Sequence, residues 1–144
     1  MDLEHPLKLE QQLCFSLYST SLAMTQLYKP LLEPLGLTYP QYLVMLILWQ
    51  QDGVGLKDIA QQLGQKPGAL TPVIKRLEQD GVVIRSRRPD DERALAIFLS
   101  DKGKALRLPA AKVGECVAEA CGMPLQELIQ LRETLIKLRH NLQR

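Results

Sequence analysis

Leu56-Lys57-Asp58-Ile59-Ala60-Gln61-Gln62-Leu63-Gly64 opens the segment that decides the fold, and this segment continues to residue 99. Apolar residues at positions 56, 59, 60 and 63 follow the spacing i, i+3, i+4 and i+7, which gives a helix one apolar face. Gly64 suits the position after a helix, where a positive φ is common. The stretch therefore predicts a short helix over 56–63.

A second helix is predicted from Ala69 to Asp80, and Gly81 closes it. Its pattern places three apolar side chains inward (Val73, Ile74, Leu77) and four polar ones outward (Thr71, Lys75, Arg76, Gln79). Two short helices joined by a tight turn form a helix-turn-helix, whose second helix is shaped to lie in the major groove of DNA.

A β-hairpin is predicted directly after the second helix. Residues 82–88 are rich in β-forming side chains, Pro89-Asp90-Asp91 is a turn sequence, and a return strand follows from Ala94 to Leu99. Leu95, Ile97 and Leu99 share one face of that strand. The order of elements predicts a winged helix-turn-helix in a mostly α-helical protein.

Basic side chains surround this predicted wing. Arg85, Arg87 and Arg88 line its approach and Arg93 follows its tip, where an arginine can enter a narrow minor groove. Residues 56–93 hold eight Lys and Arg against six Asp and Glu, so the segment is only mildly basic. A solvated charged hairpin on another helical protein is the alternative, and the order of elements favours the wing.

Bulk properties limit the class of protein. The chain has 144 residues, enough for one domain with its own core, and a net charge of +2, so affinity for DNA must come from charge placement. Its first residues contain no apolar signal sequence and its longest apolar run, 42–49, is too short to span a bilayer. We therefore expect a cytoplasmic protein. Three cysteines do not suit a disulfide framework.

Helices flank the predicted reading head. A long helix is expected from Leu7 to Tyr28, ended by Lys29-Pro30, and a short one from Pro30 to Leu35. Thr38 and Gln41 can form a capping box for a core helix that runs to about Gln51. After the wing, Ser100 can cap a helix that runs towards Ala120, with a kink at Pro109.

The last helix is predicted from near Pro124, and its leucines form a heptad seam (Leu128, Leu131, Leu135, Leu138, Leu142). Such a seam requires a partner helix, and the wing segment cannot cover it. We therefore predict a homodimer that binds palindromic DNA. Residues 1–52 and 100–144 would form the dimerisation region and residues 53–99 the DNA-binding region of one domain.

Cys14 is the candidate reactive residue. Tyr18 is four residues further along the same helix face, Tyr28 is about 21 Å away on that face, and Tyr39 can fold back from the next helix. Phenol hydroxyls that donate to sulfur favour the thiolate, which attacks peroxides. The alternative is that Cys14 is a small buried hydrophobe, as most cysteines on apolar helices are.

The whole chain resembles the organic hydroperoxide-sensing repressors of the MarR family. Five segments carry this resemblance: Leu13-Cys14-Phe15, Tyr28-Lys29-Pro30-Leu31-Leu32, Leu37-Thr38-Tyr39-Pro40-Gln41-Tyr42, Leu70-Thr71-Pro72 and Asp91-Glu92-Arg93. It implies that Cys14 is the sensing thiol, hydrogen-bonded by Tyr39 and by the partner subunit's Tyr28. It also implies a disulfide from Cys14 to a cysteine of the other subunit, either Cys116, which we prefer, or Cys121.

The predicted recognition helix, the turn before it and the wing supply the residues expected to meet operator DNA. They are Lys66, Gly68, Ala69, Thr71, Pro72, Lys75, Arg76, Arg85, Arg87, Arg88, Asp91 and Arg93. Lys66-Pro67-Gly68-Ala69 departs from the family, which usually has an acidic residue and a Ser or Thr there, so the operator sequence cannot be carried over. Either Pro67 or Pro72 can occupy the first position of the recognition helix.

Three functions are compatible with the sequence. The first is the peroxide-controlled repressor, and the second is a MarR-like regulator that binds a small phenolic ligand and has inert cysteines. The third is a thiol peroxidase, which we do not favour, because Cys14 is expected in mid-helix and His5 and His140 lie near opposite ends of the chain. No Cys/His pattern predicts zinc, and no cofactor is expected.

Overall fold

The computed structural model describes residues 7–88 and 90–143, except for the side chains of residues 91–94. The chain forms two compact units, one that ends at Val113 and one that begins at Gly114. Its regular elements in chain order are α1 (Leu13–Leu32), α2 (Tyr39–Gln50), α3 (Leu56–Leu63), α4 (Pro67–Gln79), β1 (Val83–Arg88), β2 (Asp91–Leu99), α5 (Asp101–Ala105), α6 (Arg107–Ala120) and α7 (Leu125–Leu142). The predicted class, mostly helical with one hairpin, is confirmed.

The helix-turn-helix is formed by α3 and α4. Helix α3 has the predicted bounds and ends at Gly64 with φ 67°. Helix α4 begins at Pro67, two residues earlier than predicted, so Pro67 occupies the first position and Pro72 lies inside the helix. The Thr71 hydroxyl donates to the Pro67 carbonyl at 3.2 Å in this first part of α4.

The hairpin is an antiparallel pair in which Val83 lies opposite Leu99 and Arg87 lies opposite Leu95. Strand β2 begins at Asp91 rather than Ala94, so Asp91 belongs to the strand and not to the turn; the Pro89 position lies outside the described residues. Of the three β2 residues expected on one face, only Ile97 is fully buried, while Leu95 is half exposed. The Ile97 N–H donates to the Val54 carbonyl, which attaches the hairpin to the loop before α3.

The first helix differs from its prediction at both ends. Leu9–Gln11 form a 3-10 turn and the Gln12 backbone is extended, so α1 starts at Leu13 and not at Leu7. Helix α1 also runs through Pro30 to Leu32, where a 3-10 turn over Glu33–Leu35 replaces the expected short helix. Pro30 has no N–H for the carbonyl four residues before it, but the helix continues and the Glu33 N–H closes its last turn on the Lys29 carbonyl.

The capping box predicted for α2 is confirmed. The Thr38 hydroxyl accepts from the Gln41 N–H, and the Gln41 side-chain oxygen accepts from the Thr38 N–H at 2.9 Å. Helix α2 then passes through the core, where Val44, Met45 and Leu48 are buried.

The helix that follows the wing is divided. Ser100 caps it as predicted, by accepting from the Gly103 N–H. The division lies at Leu106, between α5 and α6, and not at Pro109, which lies in the first turn of α6. A proline is harmless in a first turn, but its ring collides with the carbonyl four residues earlier, so the break falls upstream of it.

The two long terminal helices expose much apolar surface. Helix α7 contains no buried residue, and Leu131 and Leu135 of its seam are exposed. On α1, Leu13 and Leu22 are 47% exposed. Among the described residues no single helix is long and apolar enough to cross a membrane, and Leu13–Leu35 with Tyr39–Gln50 pass that test only as a pair bent by 69°.

Candidate redox site and DNA-binding surface

Cys14 is the second residue of α1 and its side chain is exposed. The expectation that it lies in mid-helix is wrong, because the extended backbone of Gln12 starts the helix one residue before the cysteine. The unpaired N–H groups and the partial positive charge of a helix N-terminus favour an anion nearby. A mid-helix position is therefore no longer an argument against a reactive thiol at Cys14.

Three of the four tyrosines gather where α1 meets α2. The ring centroids of Tyr28 and Tyr39 are 4.9 Å apart, and Tyr42 lies 5.3 Å from Tyr28 and 6.4 Å from Tyr39. We call Tyr28, Tyr39 and Tyr42 the tyrosine cluster. Tyr18 is not part of it and is 69% exposed.

The Tyr39 hydroxyl remains a proton donor under ordinary conditions. Burial, and secondarily the neighbouring Tyr42, raise the pKa of Tyr39 above its usual 10.0. Tyr39 also lines a cavity of about 360 Å³ together with Thr25, Lys29, Glu33, Leu37 and Thr38. A small molecule in this cavity would therefore meet a neutral phenol.

Cys14 and Tyr28 of one chain do not meet. They are separated by fourteen residues of continuous helix, or about 21 Å along the axis. Only a second chain can bring another Tyr28 to Cys14, as the sequence-based hypothesis requires.

The two other cysteines lie in the second compact unit. Cys116 is exposed on α6, and Cys121 follows the end of that helix and is partly exposed. All three cysteines are free thiols. The roles assigned to them stay predictions.

The outer face of α4 is polar, as predicted. Thr71, Lys75 and Arg76 are exposed, while Leu70, Ile74 and Leu77 are buried beneath them. Lys66, Gly68 and Ala69, at and just before the start of the helix, are exposed as well. Arg76 pairs with Asp80 at 3.4 Å, both of them on the surface.

The predicted wing residues have different surroundings. Arg87 is exposed, Arg85 forms an ion pair with Glu78 of α4, and Arg88 is partly buried and donates to the Gly53 carbonyl. The Asp91 and Arg93 side chains lie outside the described residues.

Trp49 connects α2 to α5, and the sequence analysis did not predict this contact. Its ring centroid lies 6.5 Å from that of Tyr42, and its indole N–H donates to the Gly103 carbonyl at 2.9 Å. A Cβ at Gly103 would overlap the Val82 carbonyl oxygen, so α5 packs directly on the turn between α4 and β1. The sequence could have indicated such a contact, because the indole N–H of a partly buried tryptophan usually has a hydrogen-bond acceptor.

Within residues 7–88 and 90–143, no three His, Cys, Asp or Glu side chains are arranged to hold a metal ion.

Comparison with known proteins gives consistent matches. The MarR family model matches residues 37–95. The organic hydroperoxide resistance transcriptional regulator of Bacillus subtilis (strain 168) is 41% identical over 139 residues, which is 93% of each chain.

Two solved proteins have the same fold over nearly the whole chain. Reduced AbfR of Staphylococcus epidermidis, bound to DNA, is 35% identical with a TM-score of 0.77 over 98% of this chain and 99% of its own. AbfR in its disulfide form has a TM-score of 0.63 at 35% identity, over 97% of this chain and 93% of its own. CouR of Rhodococcus jostii RHA1, bound to p-coumaroyl-CoA, is 25% identical with a TM-score of 0.82 over 92% of this chain and 94% of its own.

Proposed function

Because this chain belongs to the MarR family of DNA-binding transcriptional regulators, we propose that it is a repressor that releases operator DNA when an organic hydroperoxide oxidises Cys14. MarR-family regulators bind DNA and work as dimers, and they are not enzymes. The similarity to a hydroperoxide resistance regulator supports the signal, and the reduced and disulfide forms of AbfR support redox control.

The position of Cys14 carries this proposal. An exposed thiol in the first turn of a helix is open to attack on a peroxide. In a dimer, Tyr39 and the partner subunit's Tyr28 supply phenol donors for the sulfur. The exposed apolar faces of α1 and α7 supply the surface that a dimer needs.

The chemistry we propose has two steps. The Cys14 thiolate attacks one peroxide oxygen, the O–O bond breaks, and the alkoxide takes up the proton that the thiol had lost, which leaves an alcohol and a sulfenic acid. The thiol of the partner's Cys116 then attacks the sulfenic sulfur, an S–S bond forms, and the hydroxyl leaves with the thiol proton as water. Two thiols are thus oxidised while the hydroperoxide is reduced to alcohol and water.

Disulfide formation explains release of DNA. A disulfide requires Cα atoms within about 7 Å, so resting thiols that lie further apart must be brought together by a shift of the helices that carry them. Two recognition helices must keep a fixed spacing to read two half-sites. We propose that the shift changes this spacing.

The DNA-binding surface we propose is the polar face of α4 with its preceding turn and the wing. Lys66, Thr71, Lys75 and Arg76 meet the major groove and its phosphates, and Arg93 meets the minor groove. Exposure of the four α4-side residues supports this assignment.

Crosslinking on a non-reducing gel tests the redox mechanism. Cumene hydroperoxide should convert the parent protein to a covalent dimer that a dithiol reverses. Cys14→Ser should abolish the crosslink and stay bound to DNA in peroxide. Cys116→Ser should form the sulfenic acid, detected by dimedone labelling, without a crosslink.

Cys121→Ser is the matched control, since Cys121 is five residues from Cys116 and should not be needed. A crosslink lost in Cys121→Ser and kept in Cys116→Ser would identify Cys121 as the resolving thiol. If peroxide leaves DNA binding and Cys14 unchanged, the redox proposal is wrong.

A small ligand as the signal is the second candidate. The cavity beside Tyr39 has a volume within the usual range for small-molecule sites, and CouR binds p-coumaroyl-CoA. On this alternative, a phenolic ligand releases DNA from the Cys14→Ser variant as readily as from the parent.

A further inference from the structure

Two arginines of the wing are already held by the protein. The Arg85 guanidinium donates to one Glu78 carboxylate oxygen twice, from Nη2 at 2.8 Å and from Nε at 3.2 Å. Both side chains are only 33% exposed. The contact is charge-assisted, and because two donors of one planar guanidinium converge on the same carboxylate oxygen it fixes the side chain's direction.

Arg88 is held on the other side of the hairpin. Its Nη2 donates to the Gly53 carbonyl at 3.1 Å, and the side chain is partly buried. It lines a cavity together with Asp58 and Gln61 of α3. Arg88 therefore faces the body of the protein.

We propose that Arg85 and Arg88 are positioning residues that fix the direction of the wing, and that they do not contact DNA phosphates. Arg85 ties β1 to the recognition helix α4, and Arg88 ties the end of β1 to the loop before α3. This proposal is independent of the redox mechanism, because it concerns only how a DNA-binding MarR fold presents its wing.

Charge balance supports the assignment for Arg85. If Arg85 turned to a phosphate, the Glu78 carboxylate would be left without its partner and close to the DNA backbone. While the two remain paired they are neutral together, so the pair displaces no counterions from DNA. A phosphate contact by Arg85 would first have to break this pair, whereas the exposed Arg76 has only a single 3.4 Å contact to Asp80 to give up.

The geometry of the hairpin shows why two such contacts are needed. The Leu99 N–H donates to the Asp52 carboxylate and the Ile97 N–H donates to the Val54 carbonyl, and these two bonds hold the root of the hairpin. A strand of six residues is about 20 Å long, so a rotation of about 10° at the root would move the tip by about 3.5 Å. That is more than half the width of a minor groove of about 6 Å. Arg85 lies opposite Ile97 and adds a contact to α4 at that level, and Arg88 lies three residues nearer the tip, so the two side chains together restrain this rotation.

The salt dependence of operator binding separates the two possible roles of Arg85. Each phosphate contact contributes about −0.9 to the slope of log K against log salt, or about −1.8 for two subunits. Arg85→Ala should weaken binding three- to tenfold with a slope equal to that of the parent. Arg88→Gln keeps an amide donor for the Gly53 carbonyl and removes the charge, so it should bind within threefold of the parent, again with an unchanged slope.

Lys75→Ala is the control on the same DNA-binding surface, and it should make the slope less negative. Far-UV circular dichroism and the melting temperature of each variant establish that it is folded. A slope that becomes less negative by about 1.8 in Arg85→Ala or Arg88→Gln would overturn the proposal for that residue.

Exchange of the two charges gives a second test. Glu78→Arg and Arg85→Glu should each weaken operator binding at least tenfold, because each places two like charges side by side. The double variant restores an ion pair and should return to within about threefold of the parent. If Arg85 contacts phosphate, the double variant will instead bind as weakly as Arg85→Glu alone.

Discussion

Replacement of Tyr39 by Phe tests the proposed sensor most directly. The substitution removes one hydroxyl and keeps the ring that contacts Tyr28 at 4.9 Å, so the fold should be unaffected. Because the pKa of Tyr39 is raised, the hydroxyl that is lost is a protonated donor at any pH at which the repressor works.

The size of the effect follows from the hydrogen bond. A bond to a charged group contributes about 1.5–3 kcal/mol, which corresponds to roughly a 10- to 150-fold change in the thiolate population of Cys14. A less stabilised thiolate is also a better nucleophile. On a logarithmic scale, this offsets roughly half of the decrease in oxidation rate that the smaller thiolate population causes. Oxidation of Cys14 at neutral pH should therefore slow about 4- to 12-fold.

Stopped-flow mixing with cumene hydroperoxide, quenched with an alkylating label and read by mass spectrometry, measures this rate. Tyr28→Phe should behave similarly. Tyr42→Phe is the matched control, because Tyr42 belongs to the same tyrosine cluster but is 4% exposed and points into the core. If Tyr39→Phe and Tyr28→Phe react like the parent, or if Tyr42→Phe slows oxidation equally, the tyrosines only pack together and do not activate the thiol.

Two further predictions concern the reading head. Arg93→Ala should weaken operator binding and leave the dimer and the peroxide reaction intact, because an arginine at the wing tip contributes through minor-groove potential; unchanged affinity in a gel-shift titration at moderate salt would exclude Arg93 from the interface. Gly103→Ala should lower the free energy of unfolding, measured in urea, by about 1–3 kcal/mol, because the added methyl group overlaps the Val82 carbonyl. In the control Gly114→Ala on α6, the methyl group meets no atom within 4 Å and should not lower it. Equal stability of the two variants would contradict the close packing at Gly103.

The sequence predicted well those elements whose stability is local. Helix α3 has four apolar residues at the helical spacing i, i+3, i+4 and i+7 and a glycine directly after it. The Thr38–Gln41 capping box needs only four consecutive residues. Both were therefore found with their bounds. The wing was predicted for the same reason, because two stretches of β-forming residues flank a recognisable turn sequence.

The errors arose where a proline or a tertiary contact decides the outcome. Pro30 and Pro109 were each read as local breaks, but the first is accepted in a last turn and the second lies in a first turn. The helix start at Leu13 depends on an extended Gln12, which no periodicity signals. Arg85 pairs with Glu78, which lies seven residues earlier and across a turn. The sequence therefore showed that Arg85 is charged but not which group it contacts.

Trp49 gives this protein a built-in optical reporter. It is the only tryptophan of the chain, so the tryptophan emission of the unmodified protein has a single source. The fluorophore lies between Tyr42, a member of the tyrosine cluster, and the Gly103 carbonyl, next to the turn that joins recognition helix and wing. A rearrangement that changes either contact should alter the polarity around the indole or its hydrogen bond. The fluorescence of Trp49 should therefore report oxidation, release of DNA and the order of these two events in the unlabelled parent protein.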